Sequence, residues 1–165
     1  MRSIKIFSIL LLLCFGIVTV VEAQPAAVKK AANTTFTLTT FDSNGSILST
    51  SNGVFVSNDG IGVSTWKPFV GAMKAVVTDN DGQKYDVETM LGANELYDVA
   101  KFKVAAKTHA APFAPSVAAS STAWIVVPAK VGDPIKANIN KVEKFMTKYN
   151  YCVLSATAPE KNNGA

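Results

Sequence analysis

The chain has 165 residues, a net charge of +4 and 17% charged residues, enough length for one domain or at most two small ones. The lysines of its β-like segments are scattered singly and Arg2 is its only arginine, which excludes the clustered, guanidinium-rich stripe that nucleic-acid binding wants. Of the two cysteines, Cys14 falls in a segment expected to be removed; Cys152, left alone, has no internal disulfide partner and reads as a small hydrophobe between Tyr151 and Val153.

Residues 1–23 have the anatomy of a secretory signal peptide. Arg2 and Lys5 precede an apolar run from Ile6 to Val21, and Val21-Glu22-Ala23 supplies small residues at the cleavage positions. The run is short for a membrane span. The expectation is a secreted or periplasmic protein with no membrane span after signal removal. Residues 24–33 (QPAAVKKAAN) are small and polar, as in a flexible tether.

From Thr34 onward the chain reads as short strands separated by turns. Phe36, Leu38 and Thr40 alternate with Thr37, Thr39 and Phe41, the period of a strand. "DSNG" at 42–45 carries an Asn-Gly hairpin signal, across which Ile47-Leu48 pairs back. Val54-Phe55-Val56 is a further strand, closed by "SNDG" at 57–60. Residues 74–78 and 84–91 flank "DNDG" at 79–82, a third hairpin whose turn residues tolerate positive φ. Asp98, Ala100, Phe102 and Val104 then share one face, and Val99, Lys101 and Lys103 the other. Residues 106–121 turn to Ala, Ser and Pro, a linker. Beyond it, "AWIVVP" at 123–128, the alternation of Ile135, Ala137 and Ile139, and Tyr149, Tyr151 and Val153 predict further strands. Helix is scarce, with one short turn over 67–73. Such spacing predicts an all-β sandwich or barrel.

The stretch "GIGVSTWKPFVGA" at 60–72, with "SNGVFVSNDGIGVST" at 51–65 and "GAMKAVVTDNDGQKYDVETMLGANELYDVAKFKV" at 71–104, resembles the N-terminal half of trypsin-like serine peptidases, above all the high-temperature-requirement (Deg-type) branch. The likeness runs from about Phe36 to Val104 and is topological afterwards. It implies an all-β, chymotrypsin-type antiparallel β-barrel over 34–105 and a partial second β-barrel over 122–165 that ends before the serine loop. Asp98 would be the vestigial triad aspartate. The family's histidine falls on Lys67, in Trp66-Lys67-Pro68.

A triad base must take the serine proton near neutral pH and return it to the leaving group. A lysine ammonium holds its proton there, so the resemblance implies no competent triad, with Lys67 and Asp98 as an ion pair filling the vacated site. No Gly-x-Ser-Gly loop occurs in the 165 residues. His109, the only histidine, lies beyond Asp98 and reads as a solvated linker residue. A hydrolase built on Lys67 and Ser64 is a weaker alternative, because Ser64 is too near in sequence to point freely at the lysine head. The expectation is a secreted protease homologue without activity, either a pseudoprotease or the leading fragment of a longer peptidase. It would bind peptide or protein partners at exposed strand edges, with no nucleic acid, cofactor or metal. The alternative is a non-protease secreted β-domain acting as a structural or protein-binding module. A protease relic should place Lys67 and Asp98 within a few ångströms of each other in a cleft between barrels, which a sandwich need not do.

Overall fold

The computed structural model describes residues 26–114, 116, 118, 120–128, 135–145 and 151–156. The segment read as a signal peptide, Tyr149 and the stretch 157–165 lie outside these. Six strands, β1 (Thr35–Phe41), β2 (Ile47–Phe55), β3 (Ile61–Ser64), β4 (Lys74–Asp79), β5 (Lys84–Asn94) and β6 (Val99–Val104), close into an antiparallel barrel in the order β1-β2-β3-β6-β5-β4. Two three-stranded meanders make it up, and the β1–β4 and β3–β6 pairs seal them into a ring. Closure leaves each inward face covered, as the alternation in β1 and β6 requires: Phe36, Leu38, Thr40, Ala100, Phe102 and Val104 are all fully buried.

The three turns share one local device. Asp42 Oδ1 accepts the N–H groups of Asn44 and Ser46 at 2.8 and 2.9 Å. Asp79 Oδ1 accepts the Gln83 N–H at 2.8 Å, and the Ser57 hydroxyl accepts the Ile61 N–H at 3.0 Å. Short polar side chains thus hold the turns by bonding to their own backbone. Gly60 sits at φ +91°, where a Cβ would run into the Val104 carbonyl oxygen, so the β2–β3 turn and the end of β6 press directly on each other.

The core is aromatic. The Phe36 ring lies 4.6 Å from that of Phe55 and 5.7 Å from that of Phe102, the second pair edge-on. Burying each such side chain stabilises the fold by about 1.5–3 kcal/mol. Gly53 and Gly62 on adjoining strands make room for the Phe36 and Phe102 rings. Toward the other end the interior turns polar, with Thr40, Ser51 and Ser64 buried.

Two segments differ from their sequence reading. The tether carries helix α1 (Ala26–Ala32). Its Ala- and Lys-rich sequence favours helix, Val28 is buried, and its last carbonyls accept hydrogen bonds from outside the helix. Thr34 Oγ1 donates to Ala31 O at 2.7 Å and Thr35 Oγ1 to Ala32 O at 2.8 Å, while Asn80 Nδ2 reaches Ala32 O from the β4–β5 turn. The first part of the linker is likewise tied down. The Thr108 N–H donates to Asn58 O at 3.1 Å and the Ala111 N–H to Phe55 O at 2.8 Å. From Pro112 to Ser120 the described linker residues are all exposed.

The remaining strands, β7 (Thr122–Ile125), β8 (Ile135–Phe145) and β9 (Tyr151–Ala156), form a three-stranded antiparallel sheet in sequence order. Among the described residues no helix is long and apolar enough to cross a membrane.

Candidate functional site at the β3–β6 end of the barrel

The β3–β6 register pairs Ser64 with Ala100, so the residues that follow β3 must meet those that precede β6. After Ser64 the chain passes through Thr65 and Trp66 into a single 3₁₀ turn, Lys67–Phe69, with Pro68 in its first turn and buried. Proline suits this place because its missing N–H removes a donor that the start of a helix cannot pair. Phe69 fixes the turn on the core, 5.5 Å from the Phe102 ring, and Trp66 stacks on Phe69 at 6.3 Å.

Asp98 closes the β5–β6 connection at φ +52°, left-handed backbone that Asp and Asn adopt more readily than other side chains. That conformation turns both its carbonyl and its carboxylate toward the 3₁₀ turn. The Trp66 N–H donates to Asp98 O at 3.3 Å, and the Lys67 N–H donates to Asp98 Oδ1 at 2.7 Å. The second bond is short and charge-assisted. It satisfies a donor that has no partner within so short a turn.

The structure therefore brings Lys67 and Asp98 together but corrects the expected ion pair between them. The ion pairs among the described residues are Lys74–Asp86 and Lys103–Asp59, each 3.0 Å; the Lys67 ammonium makes none. Lys67 reaches Asp98 through its main chain while its side chain stays exposed. The physical reason is the small return on an exposed ion pair. The amide is held rigidly by the turn, whereas an exposed ion pair must immobilise a long side chain for little gain.

Ser64 is also committed. Its buried hydroxyl donates to Asn52 O at 2.6 Å and lies 3.2 Å from Ser51 Oγ, inside the barrel wall and unavailable as a nucleophile. His109 sits at the other end of the barrel, against the β2–β3 turn and α1, and is exposed. Among the described residues no three His, Cys, Asp or Glu side chains gather as metal ligands would.

The strongest electrostatic perturbation lies at that other end. Asp59 is held at a pKa of about 2 by the Ser57 hydroxyl first and by the Lys103 ammonium second. Lys103 also donates to the Asp59 carbonyl, so the pair clasps the β2–β3 turn to β6.

Sequence reasoning missed the cavities beside His109. One of about 390 Å³ lies between α1 and residues 109–112, and one of about 250 Å³ between Lys107–His109 and the β4–β5 turn. Both depend on segments read as tether and linker, and the helix-favouring "AAVKKAA" was the signal that could have found them. No family model matches the chain, and neither does any curated protein sequence.

Proposed function

We propose that this chain is a secreted homologue of trypsin-like serine proteases that does not catalyse proteolysis, and that it acts by binding peptide or protein segments at open strand edges. The single observation that carries the reading is the bond from the Lys67 N–H to the Asp98 carboxylate, 2.7 Å at the β3–β6 end of a closed barrel. These are the two positions that the resemblance assigns to base and orienting acid. The carboxylate there holds a main-chain amide instead of a base. The residue at the base position presents an exposed ammonium, which at neutral pH has no lone pair to accept a serine proton. Ser64, the nearest hydroxyl on β3, is bonded within the wall.

Support for the binding half comes from β5. Its residues pair with β6 as far as Asn94, whereas its pairing with β4 stops at Asp86. Among the described residues the strand thus runs on past β4 with one edge unpaired, the kind of edge that accepts an added strand.

The experiment is a fluorophosphonate serine-hydrolase probe on the purified protein, followed by casein and peptide-ester assays. No labelling and no turnover are expected. Labelling that Asp98→Ala abolishes would overturn the reading.

A further inference from the structure

The cavity between α1 and residues 109–112 lies at the barrel end opposite Asp98, so nothing in the proposed function uses it. Its walls are fixed from both sides. The last carbonyls of α1 are bonded by Thr34, Thr35 and Asn80. The facing chain is held by the Thr108 and Ala111 main-chain bonds and by the Ala110 N–H, which donates to Asn58 Oδ1 at 2.9 Å. A space of about 390 Å³ so bounded is within the size range of small-molecule sites and is formed before any ligand arrives.

Its chemistry is one-sided. Among the described residues the ionisable groups lining it are Lys30 and His109, and no carboxylate does. The Asn58 oxygen is engaged by Ala110, so what that amide offers a ligand is its NH₂ donors. The Thr34 hydroxyl donates to Ala31 O, and Asn33 completes the polar rim. Ala27, Ala31, Ala110 and Pro112 supply methyl and ring carbons between these groups. The adjoining cavity, which shares His109 and Asn33, has a mixed ionisable lining of Asp79, Asp81 and Lys107.

We propose that the α1 cavity is a binding site for a small organic carboxylate with a compact apolar body. Lys30, His109 and the Asn58 NH₂ receive the carboxylate, and the alanine and proline walls cover the apolar part.

The test is an NMR titration of the ¹⁵N-labelled full chain with cyclohexanecarboxylate, its uncharged twin cyclohexanecarboxamide, and inorganic phosphate. The expected result is saturable shifts of the Ala27, Ala31, Asn58 and Ala110 amides within about 10 mM carboxylate, and none with the amide. Lys30→Gln and His109→Gln, both at exposed positions, should each weaken binding about fivefold, and Asp98→Ala should leave it unchanged. Equal binding of carboxylate and carboxamide would overturn the charge assignment. Phosphate binding as tightly as the carboxylate would overturn the role of the apolar walls. No saturable shift with any of the three would overturn the site. Probe labelling in the protease test would leave all three outcomes as they stand.

Discussion

Gly53→Ala is the substitution on which the packing of the barrel bears most directly. Gly53 stands opposite Phe36 in the β1–β2 ladder, and the Phe36 ring lies over the glycine. A Cβ there would fall well inside 3.0 Å of the Phe36 ring carbons and 2.6 Å from Val63 O, against an ordinary carbon contact of about 3.5–4.0 Å. Relief requires the ring to retreat by about 1 Å. It has nowhere to go, because Phe55 and Phe102 hold it from 4.6 and 5.7 Å and it is fully buried. The Val63 oxygen belongs to the β3 backbone and is no freer to move.

Overpacking a well-filled core costs about 1–3 kcal/mol, and two rigid obstacles set this site at the upper end. Restricting the unfolded chain returns about 0.4–1 kcal/mol, so the net loss is about 2 kcal/mol or slightly more. With a urea slope of about 1–3 kcal/mol/M, the unfolding midpoint should fall by about 1–2 M, followed by tryptophan fluorescence. Phe36→Leu is the control. If the methyl–ring collision is the cause, the two substitutions together should cost about 1 kcal/mol or more less than their sum, since groups in contact couple by that order. An unchanged midpoint in Gly53→Ala, or strict additivity with Phe36→Leu, would refute the reasoning.

Asp98→Ala loses the acceptor for the Lys67 N–H and puts a Cβ-bearing residue without a polar side chain at φ +52°. It should cost about 2 kcal/mol, roughly half from the cap and half from the backbone. Asp98→Asn keeps an acceptor and should cost less, and amide exchange at Lys67 should accelerate in the alanine variant far more than in the asparagine one. Asp59, held at about 2 against an ordinary 3.8, contributes stability that is present above 3.8 and lost as pH falls toward 2. A carboxyl ¹³C titration should find that midpoint, and both Ser57→Ala and Lys103→Met should raise it. A midpoint unmoved by either would refute the assigned causes. Lys67→His should gain no fluorophosphonate labelling, since Ser64 stays bonded to Asn52 O; labelling would contradict the proposed function.

The strands and turns were legible because their signals are local. Period-two burial in β1 and β6 follows from Phe36, Leu38, Phe102 and Val104, and the β1–β2, β2–β3 and β4–β5 hairpins announced themselves by Asn-Gly or Asp-Gly. What stayed hidden was whatever depends on distant partners. A seven-residue Ala/Lys helix is marginal alone; α1 persists because Thr34, Thr35 and Asn80 bond its end, and nothing near residue 26 announces Asn80. The linker looked unstructured because Ala and Pro carry no pattern, yet its Thr108 and Ala111 amides find carbonyls some fifty residues upstream. At the candidate site, proximity was legible and direction was not. Side-chain charges pointed to an ion pair, whereas the main-chain donor of the same lysine took the carboxylate.

That difference bears on what a carboxylate at position 98 signifies. Because β3 and β6 pair at Ser64 and Ala100, closure of the barrel alone brings Trp66 and Lys67 to Asp98. Nearness is thus a property of the topology, and the direction of the groups decides function. An aspartate in left-handed backbone that accepts a main-chain N–H at 2.7 Å steadies a turn without any base beside it, so its presence is no sign of a working triad. At this junction the Asp98 carboxylate is bonded to the Lys67 amide while the lysine side chain stays exposed, the arrangement on which the proposed function rests.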